Sequence, residues 1–396
     1  MGYVCFYFQV HQPFRLNREY HFLSIGSDTP YEDESENRRI IQQAAHNCYL
    51  PANRILLELV RRYNGKFKIS FCISGTALEQ LECYAPDALA GFKALADTGC
   101  AEFLCETYYH SLSYLYNKAE YRTQVSLHKK TIQRIFGNVP AVLRNTELIY
   151  DNNLAGEAES LGFNILLAEG VEKILSGRTP NVLYRAKNNT NITLLLKNSG
   201  LSDDLAFRFS DTKWSEFPLT PRKYAEKIHL QGEGAGIVNL FMDYETFGEH
   251  QRRQSGIFDM LRALPDEIFR FNDMSFITPS EAAALLRPAD VFNAEEPVSW
   301  ADEARDTSPW RGNHLQDSAL EFIYQLREKA EQTRNDDLIA QWRRLQTSDH
   351  FYYMCEKGSL DGVVHSYFSP FRSPLDAYVV YCNVLNDFHE KIKKLK

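Results

Sequence analysis

The eight cysteines of this chain include no C-x-x-C pair, and several lie inside apolar runs such as "YVCFYF", "ISFCIS" and "EFLCET". Buried, reduced thiols have that setting, so neither a zinc site nor a disulfide scaffold is expected. No H-x-x-x-H pair and no D-x-D-x-D-G loop occurs, which leaves no ready sequence signature for a metal. No apolar run is long enough to span a bilayer. Positive charge is in short supply: 44 Lys and Arg against 52 Asp and Glu give a net charge of −8. That argues against a nucleic-acid or anionic-membrane partner, each of which needs a basic face. The dinucleotide fingerprint is missing too, because "QGEGAG" at 231–236 precedes a strand pattern instead of following one. Repeats and low-complexity tracts are absent. The opening "MGYVCFYFQVHQPF" has no basic segment or small-residue cleavage site, reads as a first strand, and gives the cytoplasm as the expected location.

What is present is length for one large and one smaller domain, 396 residues, and an aromatic content of 13%. Most of those rings belong in a core; some are expected to line a groove. Strand-like apolar runs recur at 4–10, 67–74, 101–109, 141–148, 164–169, 191–198, 236–245 and 275–286. Helical periodicity separates several of them, at 40–62 with a break expected at Pro51, at 119–136 and at 153–162. Alternation of continuous apolar strands with helices implies an α/β protein whose mostly parallel sheet closes or nearly closes into a barrel. After about residue 288 long helical patterns follow with no strand between them. The expected division is a barrel over 1–287 and a helical unit over 288–396.

Polar residues collect where these strands should end, as they do in barrel enzymes. His11-Gln12-Pro13 follows the first. The third carries Glu102 and runs on to Tyr108, Tyr109 and His110. Glu147 ends the fourth, and Asp243 and Glu245 end the seventh. Burying so many such groups without a shared purpose is costly. Two carboxylates from separate strands facing one cavity suit glycosidic bond cleavage, one ionised and one holding a proton. The sequence pattern alone leaves open which acids meet.

The ordered set "HQPFR" (11–15), "AEFLCETYYHSL" (101–112), "RNTELIYDN" (144–152), "LSDDLAFRFS" (201–210), "MDYETFGEHQ" (242–251), "SWADEARDTSPWRGN" (299–313), "LQTSDHFYYM" (345–354) and "HSYFSPFRSPLDAY" (365–378) resembles glycoside hydrolase family 57. The resemblance spans essentially the whole chain. It implies an incomplete (β/α)7 barrel with a C-terminal α-helical domain that completes the cleft, and activity on α-glucans; no cofactor or metal is expected from the residues, and calcium dependence is left open. Residue by residue, it implies Glu147 as nucleophile and Asp243 as general acid/base. It places His11, Glu102, His110 and Glu245 around the sugar, with Trp300, Asp306 and Trp310 reaching the same cleft from the helical unit. In such a retaining pair the carboxyls lie about 5–5.5 Å apart. Asp243 must keep its proton near neutral pH, for which Phe241, Phe247 and Glu245 offer apolar walls and a like charge. Three alternatives stay open here. One is a 4-α-glucanotransferase or branching enzyme with the same acids. Another is a metal-dependent deacetylase drawing on His11, His110, His250 and Asp243. The last is a glucan-binding protein without turnover.

Overall fold

A computed structural model describes residues 1–234, 236–358, 365 and 368–394, the side chain of Thr190 excepted. Within them the strands are β1 (Gly2–Val10), β2 (Ile69–Ile73), β3 (Ala101–Phe103), β4 (Val142–Arg144), β5 (Ile165–Glu169), β6 (Tyr184–Ala186), β7 (Asn189–Lys197), β8 (Ile237–Asp243), β9 (Phe247–Gly248), β10 (Gln251–Arg252), β11 (Met274–Phe276) and β12 (Asp290–Phe292). β8, β1, β2 and β3 pair in parallel, and so do β4, β5 and β7. A parallel bridge between Cys105 and Leu143 joins the two sheets at one side. At the other, β7 and β8 form no ladder. The Asn198 N–H donates to the Asn239 carbonyl (2.9 Å), and the Asn239 side chain donates to the Leu196 carbonyl (2.9 Å). The result is a seven-stranded α/β barrel with an open seam, the incomplete form expected.

The two-residue period of β1 sorts its side chains. Cys5 and Tyr7 point inward to an interior cluster with Cys72, Leu104, Leu167, Leu195 and Phe241. Val4, Phe6, Phe8 and Val10 point outward to the helices. Much of the aromatic content sits in that outer layer, where Phe8 packs within 5.2–5.6 Å of Phe6, Phe71, Tyr244 and Phe247.

Several expected boundaries move. The strand pattern at 275–286 is three residues of strand, then a helix, Pro279–Leu285. Thr278, Pro279 and Glu281 form a capping box with proline in the first turn, which ends the strand. That helix closes the lower end of the barrel, with Ile277 and Ala282 in the interior cluster. β12 pairs with β6, and Val298 bridges to Tyr150, so the sheet holds the chain past the expected division at 287/288. Three residues are too few to show a period. The helical unit comprises His314–Gln325, Arg327–Gln332, Asp336–Arg344, Ser348–Tyr352 and Pro374–Lys393. Ser366 and Tyr367 of the "HSYFSPF" motif lie outside the described residues, as do Leu395 and Lys396 at the end of the last helical pattern.

Pro51 does not break its helix. The backbone stays helical from Glu34 to Arg62 through a wide turn at Ala45–Tyr49. Proline has no N–H to offer the carbonyl four residues back, that of Asn47. The loop after β8 packs against that carbonyl. Gly248 sits there at φ 118°, and a Cβ would lie 2.1 Å from the Asn47 oxygen. Asn47 also donates to Glu249 (2.7 Å), and the Cys48 thiol to the Tyr244 carbonyl (3.0 Å). This helix thereby fixes the loop that carries Glu245. Gly248→Ala is expected to cost about 2–4 kcal/mol through clash and backbone strain. A thermal melt should show it as a fall in Tm of several degrees.

Candidate active site

The residue after each barrel strand is where the chain turns, and two of these turns hold non-glycine residues in the left-handed region. Glu147 (φ 57°) and Leu148 (φ 52°) form one, His110 (φ 50°) the other. Each costs about 1–2 kcal/mol for an L-residue, so other bonds must hold them. Asn145 Nδ2 donates to the Ile149 carbonyl (2.9 Å) and closes the Glu147 turn. The Ser111 N–H donates to Thr107 Oγ1 (2.8 Å), and Thr107 Oγ1 meets Thr146 Oγ1 at 2.7 Å, tying the two turns together. From the helical unit, the Ser348 N–H donates to the His110 carbonyl (2.9 Å).

Glu147 is gripped on both oxygens. His110 Nε2–H donates to Oε1 (3.0 Å), and the Trp300 indole N–H to Oε2 (2.7 Å). Ser348 Oγ reaches Oε1 at 3.4 Å. Burial pushes this carboxyl up, but the bond and charge of His110, the Arg144 charge and the Trp300 N–H outweigh it. Its pKa lies below the ordinary carboxylate value.

Asp243 closes β8 opposite Gln9 of β1. Burial first, and then the Glu147 charge, push its pKa up to about 6, against the pull of Arg144, Lys197 and His110. Phe241, two residues back on the same face, belongs to the interior cluster and packs edge-on to Tyr7 at 5.3 Å. Phe247 is not the apolar wall expected, because it belongs to the outer layer with Phe8. The like charge comes from Glu147 across the barrel and not from Glu245. Glu245 itself is buried, accepts from the Tyr49 hydroxyl and from Gln12 Nε2 (3.3 Å), and is pushed up to about 8 by burial and by Asp243.

His11 lies face to face with His110, ring centroids 3.8 Å apart. Its Nδ1 meets Ser74 Oγ at 2.7 Å, and its Nε2 meets Asp349 Oδ2 at 2.8 Å. Burial and the His110 charge lower its pKa. His110 and Trp300 are therefore in the site, but their polar atoms hold Glu147, where the resemblance implies contact with the sugar.

Three expected sugar contacts lie elsewhere. Glu102 sits one layer down, in register with Ser70 and through it Tyr7. It accepts from the Ser280 N–H (3.0 Å) and hydroxyl, capping the helix that plugs the barrel floor. Asp306 accepts from the Ser308 N–H (2.9 Å) and lines a separate surface pocket of about 600 Å³ with Lys173, Asn293 and Arg311. Trp310 is buried in the core of the second sheet and helical unit, 6.1 Å from the Tyr352 ring. Both follow the turns at Asp302 (φ 55°) and Arg305 (φ 51°), which no local spacing announces.

Glu106, Asp349 and Arg144 are site residues that sequence reasoning misses. Glu106 stands four residues before His110 in "AEFLCETYYHSL", and Asp349 lies in "LQTSDHFYYM". The resemblance covers both motifs but gives those two acids no role. Among the described residues no three His, Cys, Asp or Glu are grouped as a bound metal would need. His11 and His110 spend both ring nitrogens on protein partners, and His250 packs against the Phe368 ring at 5.8 Å. No helix among them is long and apolar enough to cross a membrane.

Residues 5–295 match the model of Glycosyl hydrolase family 57. The chain is 40% identical over 403 aligned positions to a Methanocaldococcus jannaschii protein named "Putative alpha-amylase", covering 99% of this chain and 85% of that one. In fold it is similar to the 4-α-glucanotransferase of Thermococcus litoralis, with TM-score 0.64 and 16% identity over 89% of this chain and 56% of that one. It is likewise similar to the branching enzyme TK1436 of Thermococcus kodakaraensis, with TM-score 0.65 and 14% identity over 89% and 86%.

Proposed function

The chain belongs to glycosyl hydrolase family 57, and on that premise we propose that it is a retaining glycoside hydrolase of α-1,4-glucans such as maltooligosaccharides and starch or glycogen fragments. The observation that carries this reading is the placement of two half-buried acids at strand ends. Glu147 has a donor on each oxygen, from His110 and Trp300, and Asp243 closes β8 without such a donor among the described residues. Glu147 is held ionised by His110 and Trp300, while Asp243 is held protonated to about pH 6 by burial and by Glu147 itself. Pairs of carboxyls whose surroundings push their pKa values apart divide into nucleophile and acid.

Glu147 attacks the anomeric carbon as Asp243 gives its proton to the departing glycosidic oxygen, and a covalent glycosyl-enzyme forms. Asp243, now ionised, takes a proton from water as that water attacks the same carbon. Glu147 leaves as a carboxylate, and the anomeric configuration is kept. His110 and Trp300 hold Glu147 in line for attack and receive it again when it departs. His11 and the neutral Glu245 form the polar wall beside the sugar. Asp306, in its separate pocket and bonded to Ser308, has no part in this bond cleavage.

Chromatography of maltoheptaose digests, with proton NMR of the first products, tests this. Shorter sugars released as the α-anomer are expected. Products longer than maltoheptaose would replace hydrolysis by transfer, and an unchanged substrate would remove α-1,4-glucans from the reading.

A further inference from the structure

Four charges are stacked beneath the cleavage point, and Glu106 touches or faces both cations among them. Its carboxylate is fully buried. Oε2 accepts from His110 Nδ1–H at 2.5 Å, and Oε1 from Gln9 Nε2 (2.8 Å) and the Cys72 thiol (3.4 Å). Gln9 is held in turn by the Tyr7 hydroxyl. Arg144, also fully buried, lies 3.6 Å from Oε2. No described residue hydrogen-bonds its guanidinium, which packs 4.9 Å from the Trp300 ring. The Glu106 backbone N–H donates to His128 Nδ1 (3.1 Å), and His128 Nε2–H donates to the Ile73 carbonyl (2.8 Å), so His128 is neutral.

His110 has Glu106 and Glu147 on its two ring nitrogens, both acids are held below the ordinary carboxylate range, and an ionised carboxylate only accepts. Both nitrogens must therefore carry protons. We propose that Glu106 is a positioning residue for the reaction: by binding Nδ1–H it fixes His110 as an imidazolium whose Nε2–H keeps the Glu147 carboxylate ionised and aimed. This rests on the reading of Glu147 as nucleophile.

The groups around His110 agree with that assignment. Glu106 lies on its own turn, Glu147 on the turn after β4, and Arg144 on β4 itself. His11 stacks from the end of β1, and Asp349 of the helical unit bonds the far nitrogen of His11. Burial opposes a charge on His110, but the two glutamates outweigh it and raise its pKa to about 9. Two stacked imidazoles 3.8 Å apart cannot both be charged without strong repulsion. The stack gives the proton to His110, and His11 stays neutral between Ser74 and Asp349. Glu106 also offsets the buried Arg144, so that the two cations, His110 and Arg144, are balanced by the two anions, Glu106 and Glu147.

The test is the pH dependence of kcat/KM for maltoheptaose in Glu106→Gln and Glu106→Asp, beside Glu147→Gln. Glu106→Gln should lower kcat about 10- to 100-fold, the value of a hydrogen bond to a charged group. KM should stay within about 3-fold, because the interaction lost belongs to the nucleophile and not to sugar binding. The acid limb should rise by about one pH unit as Glu147 loses its partner. Glu106→Asp, which restores the charge, should recover part of both. An unmoved acid limb with an inactive Glu147→Gln would overturn this proposal alone. An active Glu147→Gln would overturn the nucleophile reading and this proposal with it. Should the Glu106 variants fail to fold, nitrogen-15 NMR of the histidines in the wild-type protein decides. A doubly protonated ring persisting toward pH 9, absent in His110→Gln, is the expected result. A His110 ring that loses its proton near the ordinary histidine value of about 6.5 would refute the assignment.

Discussion

Glu147→Gln should lower kcat by about 10⁴-fold or more, with kcat/KM falling in proportion. The amide is nearly the size of the carboxylate, so the cleft keeps its shape. It cannot attack carbon, and it turns one of two well-placed acceptors into a donor facing the N–H of His110 or Trp300. The loss is thus specific to the step that forms the covalent intermediate. Steady-state kinetics on maltoheptaose at several pH values measure it. A drop of only tenfold would mean that another group attacks.

The second expected result concerns Asp243. Donation to the leaving oxygen requires its protonated form, so activity should fall as pH rises through its pKa, about 6. Attack requires Glu147 ionised, and that carboxyl is held below the ordinary range. The kcat/KM profile is therefore a bell with a base-side limb near pH 6 and an acid-side limb below the usual carboxylate value of about 4.3. Glu245 and His110, at about 8 and about 9, titrate too high to supply the base-side limb. Asp243→Asn should erase that limb and lower kcat for maltoheptaose about 10²- to 10⁴-fold. With an aryl glycoside whose leaving group needs no proton, the first step should lose far less. A limb near pH 6 that survives in Asp243→Asn would place the acid elsewhere.

Much of this site is legible in the residues themselves. Acids after apolar strands mark where a barrel builds its site, and Glu147, Asp243, His11 and His110 all stand at such places. Layer is harder to read than face. Glu102, Leu104 and Glu106 lie along one line of alternate positions, but only register shows that Glu102 meets the barrel floor while Glu106 meets His110 and Gln9. A strand pattern that runs to residue 109, where β3 stops at Phe103, hides the difference. Trp300 and Asp349 reach Glu147 and His11 across 153 and 338 residues, and no local period encodes such meetings. Trp310 and Asp306 share a segment with Trp300, yet the backbone turns between them send each to a different place. β6 and β12, three residues each, are too short for any pattern to announce.

The bond from His11 to Asp349 joins nearly the first and nearly the last parts of the chain. Its consequence concerns timing in synthesis. Every barrel strand leaves the ribosome before Trp300, Ser348 and Asp349 exist, so the nascent barrel can close around Glu147 and Asp243 without their partners. Trp300 and Ser348 then settle on Glu147, and Asp349 on His11, when the last quarter of the chain docks. The held form of Glu147 and His11 is thus completed only when the last quarter of the chain packs against the second sheet.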